Sequence, residues 1–277
     1  MKGYLFFDLD GTLVDSEVSD EITPSALQAI HKAQANGYGC YISSGRNLKG
    51  IEMYLKDGFD GAVFADGAGV ILTDSKPELI TIAPEVLNRL IETIINEFHG
   101  SICPWGLHRG FASEGIYDHF ISLMKKRFPD EQAQAMLAKS WGMYQLNQMN
   151  GEEIVSCDVE FPDAQSEEAF IKTLDPALEY ISTTASYGRG GICTGEVTVK
   201  GVTKAAGMKR LLERYGSDEK TTYAFGDSMN DSSIISAATI GICMGNGAEE
   251  LKQMADYITD DIHHDGIEKA LKQFGII

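Results

Sequence analysis

At 277 residues the chain exceeds the ~100–150 residues of a usual single domain, so one large domain or two modest ones with a sizeable core are expected. Its 43% hydrophobic and 23% charged residues are ordinary for a globular protein and exclude wholesale disorder. The formal charge of −18, with a sequence pI of about 4.6, repels polyanions: nucleic acid and anionic membrane surfaces are poor partners, and a phosphorylated ligand must meet local positive charge.

Residues 4–7 form an apolar run rich in aromatics that reads as a central strand buried on both faces, and it runs straight into Asp8 and Asp10. The carboxyl end of such a strand is where an open α/β sheet forms its ligand crevice. Side chains two apart on a strand share a face, and Gly11 lets the backbone turn close to a ligand, so both carboxylates can work on one substrate. Asp-Gly also suits a plain turn, and the rest of the chain has to decide. Thr23 and Pro24 serve as N-cap and first residue of a helix over 24–35, with Leu27, Ile30 and His31 near one face and Asn36-Gly37 as its stop. Residues 38–43 read as a second buried strand that ends at Ser44-Gly45-Arg46; a helix over 47–57 and a strand over 61–65 repeat the unit. Such units build parallel sheets with right-handed crossovers, which puts Ser44 on the same sheet edge as Asp8. Asp66-Gly67 reads as a tight turn into a hairpin over 70–72.

From residue 84 the organisation changes. A helix over 85–99, apolar at Val86, Leu90, Ile91, Ile94, Ile95 and Phe98, is stopped by Gly100. Strands over 101–105, 107–113, 152–161 and 178–187, with helices over 116–127, 130–139 and 164–174, make a second α/β module, joined by hinges near 80–84 and 188–196. Segment 186–191 fails the spacing of the Gly-rich nucleotide fingerprints and reads as a return loop. Alternation then resumes. Lys204 opens an amphipathic helix with Met208, Leu211 and Leu212 inward, and a strand over 222–225 delivers Gly226-Asp227. A helix over 230–237, a strand over 240–244 leading to Gly245-Asn246-Gly247, residues 256–259 and a helix over 266–274 close the core. The five cysteines, Cys40, Cys103, Cys157, Cys193 and Cys243, lie singly in apolar runs without Cys-x-x-Cys spacing and read as buried thiols. With no cationic apolar leader and no apolar run of ~18 residues, the expected location is cytoplasmic. No obligate protein partner is evident.

Asp8-Leu9-Asp10, Ser44, Lys204 and Gly226-Asp227-Ser228-Met229-Asn230-Asp231, in that order and each at a strand end or helix start, resemble the four motifs of the haloacid dehalogenase (HAD) superfamily. The long insertion between Ser44 and Lys204, with Met244-Gly245-Asn246-Gly247 and Asp265-Gly266, is similar to the Cof-type branch with a large α/β (C2B-type) cap. The resemblance implies an α/β protein: a Rossmann-like, doubly wound parallel-sheet core of residues 1–83 and 188–277, discontinuous around an inserted α/β cap domain of residues 84–187. Asp66 stands where such chains usually carry Asn, and its negative charge argues against direct phosphate contact.

Cleaving a phosphate ester needs a nucleophile, a proton donor for the leaving alkoxide, and positive charge around the transferring group. The resemblance assigns Asp8 as the nucleophile that forms an aspartyl phosphate and Asp10 as general acid and then base. It implies Mg2+ as cofactor, held by the carboxylates of Asp8 and Asp227 and the Asp10 carbonyl, with Asp231 in support and Asn230 beside metal or substrate. Read alone, that acidic loop also fits a capped helix start. Ser44 and the N–H groups of Leu9, Asp10 and Gly45 would bind phosphoryl oxygens, and Lys204 would offset the charge of both phosphate and Asp8. Thr12 is expected to brace the loop, and Arg46 either caps its helix or reaches the substrate. His263-His264 before Asp265 reads as a polar loop rather than a second metal site; His108, Arg109, Tyr187 and Arg189 are candidates for leaving-group contact.

The expected function is a phosphoric monoester hydrolase acting on a small phosphorylated metabolite, such as a sugar phosphate or a flavin or pyridoxal phosphate. Asp10 favours this over dehalogenation, because a halide leaves without an acid and an alkoxide does not. The alternatives are a phosphomutase or phosphotransferase of the same superfamily and a non-enzymatic phospho-acceptor signalling domain. The chain is long for the signalling domain. A catalytically silent binding protein is disfavoured because every expected catalytic position is filled.

Overall fold

The computed structural model describes residues 1–16, 18–184, 188–215 and 221–277. Tyr187 and Ser186 of the expected return loop lie outside the described residues. The described chain forms two compact units, Met1–Arg46 with Ile51–Leu79 and Val202–Ile277, and Asn47–Gly50 with Ile80–Gly201.

Numbering strands in chain order, the first unit holds β1 (Tyr4–Phe7), β2 (Gly39–Ser43), β3 (Gly61–Phe64), β4 (Gly69–Leu72), β5 (Glu78–Leu79), β12 (Thr222–Gly226), β13 (Ile240–Cys243) and β14 (Tyr257–Ile258). They form one sheet in the order β14-β13-β12-β1-β2-β3-β4-β5. Neighbours from β14 to β3 run parallel, and the hairpin β3–β4–β5 finishes the edge antiparallel. The chain winds outward from β1 in both directions, so the edge beyond β1 is the topological switch point where open α/β sheets bind ligands. β1, β2, β3 and β12 are buried at every position, as strands covered on both faces must be. Phe7 pairs with Phe225 and Ile42 in the ladder, and its ring stacks on Phe225 at 4.8 Å, which helps fix the register of the strands that deliver the acids.

The second unit carries β6 (Ser101–Trp105), β7 (Gly110–Ala112), β8 (Met143–Gln145), β9 (Ser156–Phe161), β10 (Leu178–Ser182) and β11 (Cys193–Val199), in the order β10-β11-β9-β6-β7-β8. All pairs are antiparallel except β7–β8. Alternation along β6 splits its core in two: Ile102 joins Ile94, Phe111, Phe161 and Phe170, while Cys103 joins Ile116, Leu137 and Met143.

Several expectations shift. Cys193–Val199, expected in part as a hinge over 188–196, is an inner strand bonded to both β9 and β10, which is why that stretch groups with the second unit. The helix expected over 85–99 is α-helical at Pro84–Glu92 and widens into a π turn at Thr93–Glu97, ending where His99 takes a left-handed φ of 52°. The helix Pro24–Ala35 buries Ala26, Ala29, Ile30 and Ala33; Leu27 is only half-buried and His31 is exposed, so three alanines and Ile30 make the close face. Thr23 precedes that helix without a side-chain capping bond. The short helix Glu249–Met254 and the strands β5 and β8 carry too few residues to show a period. All five cysteines are free and buried, as expected.

Candidate active site

The registers Phe7↔Ile42 and Phe7↔Phe225 make Asp8, Ser44 and Asp227 leave three adjacent strands at one sheet edge. Asp8 continues the ladder by donating its N–H to Phe225 O at 3.0 Å. Beyond it the backbone curls: Leu9 O accepts from Thr12, Leu13 and Val14, and Gly11 turns with φ of 80°. A Cβ on Gly11 would lie 2.4 Å from Asp227 Oδ2, so no side chain fits between the two acidic loops. Gly11→Ala is expected to displace the Asp227 carboxylate and cut turnover by about 10–100-fold, while the far-ultraviolet circular dichroism stays unchanged.

Lys204 sits in this crevice from the opposite side of the sequence. Thr203 caps the helix Lys204–Glu213, its side chain accepting from Ala206 N at 3.1 Å, and so aims the first helical residue. Lys204 is 1% exposed, and its ammonium donates to Asp8 Oδ1 at 2.7 Å and to Asp231 Oδ1 at 2.6 Å. Burial works against its charge, but the carboxylates of Asp231, Asp8 and Asp66 outweigh this and raise its pKa. The other oxygen of Asp231 accepts from the N–H groups of Asp227 (3.0 Å) and Ser228 (3.2 Å), so this fully buried carboxylate holds both the lysine and the loop.

Asp8, Asp227 and Asp231 bring ligand oxygens within 4.8 Å of one another, the metal-competent cluster found among the described residues. Oxygen donors of this kind suit a hard divalent cation. Since Lys204 and two backbone N–H groups engage both oxygens of Asp231, the carboxylates of Asp8 and Asp227 are the better fit for direct ligation, with Asp231 behind them. The crowding leaves its mark on acidity. Burial, then the Asp231 charge, raises the Asp8 pKa well above the usual carboxylate range despite Lys204, and the same two causes push Asp227 up to about 7. Thr12, fully buried, donates to Asp227 Oδ1 at 3.3 Å and partly opposes that shift.

The remaining expected residues divide. Asp10 turns its carboxylate to Arg46, which grips it through Nε at 2.9 Å and Nη2 at 2.6 Å, while Nη1 reaches Tyr54 OH at 3.3 Å. Ser44 is 2% exposed, and its Oγ accepts from Arg46 N at 3.1 Å. Gly45 is exposed beside Asp66. Asn230 is exposed, and its Oδ1 accepts from Ser228 Oγ at 2.6 Å. His263 lies 3.0 Å from Asp15, and His264 bonds Asp261. In the second unit Arg109 pairs with Glu152 and lies over Phe111 and Tyr144, and Arg189 pairs with Glu160 at 2.8 Å. Two braces escaped sequence reasoning: the Arg46 grip on Asp10, and Asn246, whose amide donates to Gly11 O at 2.8 Å and accepts from Ile262 N at 3.1 Å. The Gly245-Asn246-Gly247 turn after a strand was the available signal for Asn246.

Residues 5–271 match the family model described as haloacid dehalogenase-like hydrolase. The 5-amino-6-(5-phospho-D-ribitylamino)uracil phosphatase YitU of Bacillus subtilis (strain 168) is 25% identical over 283 residues, spanning 99% of this chain and 98% of YitU. A solved structure from Geobacillus kaustophilus HTA426 aligns at TM-score 0.80 with 25% identity over all of both chains. The HAD subclass IIB sugar phosphatase BT4131 aligns at TM-score 0.73 with 25% identity over 99% of this chain and all of that one. A matching model over nearly the full length, and the acid–lysine crevice at the head of β1, lead to one conclusion: this chain belongs to the haloacid dehalogenase-like hydrolases and is a phosphatase of their Cof type.

Proposed function

We propose that the protein is a Mg2+-dependent phosphatase that hydrolyses a small phosphorylated metabolite, of the sugar-phosphate, flavin-phosphate or pyridoxal-phosphate kind, through an aspartyl phosphate on Asp8. The observation that carries this reading is the buried Asp8 carboxylate, bonded to Lys204 with Asp227 and Asp231 close by. One Asp8 oxygen is tied to the ammonium, which leaves the other to attack phosphorus. Lys204 neutralises negative charge that gathers on the transferring group, and Ser44 Oγ–H with the Gly45 N–H donates to its oxygens. Asp10 protonates the leaving alkoxide and then takes a proton from the attacking water. Arg46, paired with Asp10 now, keeps that carboxylate at the mouth of the crevice, where its side chain is 44% exposed. Asp8, Asp227 and the Asp10 carbonyl would hold the cation, Asp231 would support them, and Asn230 would contribute from the loop's exposed rim. The cation, when bound, supplies charge neutralisation for the phosphoryl group.

The names of the relatives support a small polyhydroxylated substrate: one acts on a phosphoribitylamino uracil and another is a sugar phosphatase. In this reading the inserted α/β unit is the cap that sets substrate choice, no macromolecular partner is required, and the enzyme works in the cytoplasm. Among the described residues no helix is long and apolar enough to cross a membrane.

The test is a panel of phosphorylated metabolites assayed for inorganic phosphate with magnesium and with chelator. Magnesium-dependent phosphate release without an isomerised product supports hydrolysis; a rearranged phosphate ester with no free phosphate would make the protein a mutase. The acidity of Asp227 adds a second check. Its carboxyl must shed a proton to bind a cation, and its pKa stands at about 7. Magnesium is therefore expected to raise the melting temperature more at about pH 8 than at about pH 5.5, as read by calorimetry. An equal shift at both would contradict the assignment of Asp227 as a ligand.

A further inference from the structure

Ser43 ends β2, one residue before the expected phosphate ligand Ser44, and its hydroxyl is unused in the resting fold. The residue is 1% exposed, and its Oγ is buried without a hydrogen-bond partner among the described residues. Ser44 differs, since its Oγ already accepts from Arg46 N. Alternation along the strands fixes where the Ser43 side chain lies. Tyr41, two residues earlier, stacks on Phe6 with ring centroids 5.2 Å apart, and both rings join Val63, Met208 and Leu211 in the core under the helix Lys204–Glu213. Ser43 therefore shares a sheet face with Tyr41, and Asp8 shares it with Phe6. The register Phe7↔Ile42 makes Asp8 and Ser43 the next pair across β1 and β2, and Ser43 pairs with Val63 on its other side. Neighbouring strands stand about 4.8 Å apart, so the hydroxyl lies beside the Asp8 carboxyl, beneath the helix that delivers Lys204. That helix closes tightly over the row, for a Cβ on Gly207 would collide with Val63 Cγ1. Burying an unpaired hydroxyl costs stability, and in the row Asp8–Ser43–Val63 the acceptor it can serve is the Asp8 carboxyl.

We propose that Ser43 is a positioning residue for the nucleophile, its hydroxyl donating to the Asp8 carboxyl as that group is released from phosphorus. The inference rests on the phosphatase reading, in which Asp8 carries the phosphoryl group. In the resting crevice Lys204 holds Asp8 Oδ1 and shares its ammonium with Asp231. In the second half of the reaction water attacks the aspartyl phosphate. A bond forms from the water oxygen to phosphorus, the bond from phosphorus to the Asp8 oxygen breaks, and its electron pair returns to the carboxyl; the water's proton goes to Asp10. Negative charge thus grows on Asp8 in a buried site, where a fixed donor counts for more than it does in water. Lys204 meets that charge from the helix, and Ser43, turning about its Cα–Cβ bond, meets it from β2. In the first half charge leaves the same carboxyl, so a donor there gives attack no help. The hydroxyl is therefore expected to speed decay of the intermediate and not its formation.

Ser43→Ala removes the hydroxyl alone, and Ser43→Cys keeps its size with a weak donor. The experiment compares both with the magnesium-loaded wild type, using p-nitrophenyl phosphate as substrate. Rapid-quench traces give the rate at which aspartyl phosphate forms in the first turnover, and a chase gives the rate at which it decays. Borohydride labelling reports its occupancy at position 8, and calorimetry reports the melting temperature. Ser43→Ala should form the intermediate within about 3-fold of the wild-type rate, lose it about 10-fold more slowly, and carry more label at steady state. Ser43→Cys should fall between the two. The Ser43→Ala melt should match the wild type or rise by up to about 3 °C, because an unpaired buried hydroxyl has been removed. An unchanged decay rate in Ser43→Ala would overturn the proposal. So would formation and decay slowed equally with a lowered melt, which is the signature of a packing defect. Wild type that releases phosphate with no label on Asp8 would overturn the aspartyl-phosphate reading and this proposal with it; label on wild-type Asp8 with equal decay in all three proteins would overturn this proposal alone.

Discussion

Asp8→Asn is expected to abolish phosphate release, lowering turnover by about 10^4-fold or more, while the protein stays folded and melts within a few degrees of the wild type. The amide oxygen can still accept from Lys204, which also keeps its 2.6 Å bond to Asp231, so the buried ammonium is not stranded. Removing one carboxylate from three that crowd within 4.8 Å relieves like-charge repulsion and offsets the lost ion pair. Only the proposed nucleophile is gone. Steady-state assays with the substrate found in the metabolite panel, beside a thermal melt, check both halves; a variant that keeps a tenth of wild-type turnover would remove Asp8 from the chemistry.

Lys204→Met should damage stability and turnover together. The wild-type ammonium is enclosed with Asp8 and Asp231, whose side chains are 6% and 0% exposed, and truncation leaves both without a countercharge. Breaking a buried pair by removing one partner costs about 3–5 kcal/mol, which for a chain of this size is a drop of about 10 °C in melting temperature. The loss should depend on pH in a set direction. Asp8 already has a raised pKa, and without Lys204, which lowers it, it rises further. A carboxyl with a raised folded-state pKa is tolerated below its unfolded-state pKa and becomes destabilising as pH climbs through the folded value. The gap between variant and wild type should therefore be small near pH 5 and widen toward pH 8. Turnover should fall by about 10^2–10^3-fold, since positive charge preorganised at the phosphoryl group is lost. A melt that is equally lowered at both pH values would contradict the ion-pair account.

Much of this site was legible because its acids sit where a pattern breaks. β1 is an unbroken apolar run, rich in aromatics, that stops at Asp8, and Thr222–Gly226 delivers Asp227 in the same way; a break in pattern, not distance, announces them. Lys204 was legible as the first residue of an amphipathic helix with Thr203 before it. Other contacts join residues that local sequence does not relate. Arg46 meets Asp10 across 36 positions, Asn246 meets Gly11 across 235, and neither pairing leaves a periodic trace. In Cys193–Val199 the alternation Cys193, Gly195, Val197 against Thr194, Glu196, Thr198 was present, but glycine takes one inward place and a glycine-rich stretch precedes it, so the strand read as a joint. Alanines misled in the opposite sense: the buried face of Pro24–Ala35 is mostly methyl groups, and the larger Leu27 drew the expected face toward itself.

The central claim is that Asp8 takes the phosphoryl group as a covalent intermediate. Acid-quenching the enzyme during turnover, reducing with borohydride, and sequencing the N-terminal peptide by mass spectrometry tests it directly, because an acyl phosphate is reduced to an alcohol and an ordinary carboxylate is not. The account predicts homoserine at position 8, dependent on substrate and absent at Asp10 and Asp227. Steady turnover with position 8 unmodified, or with the label on another residue, would contradict it.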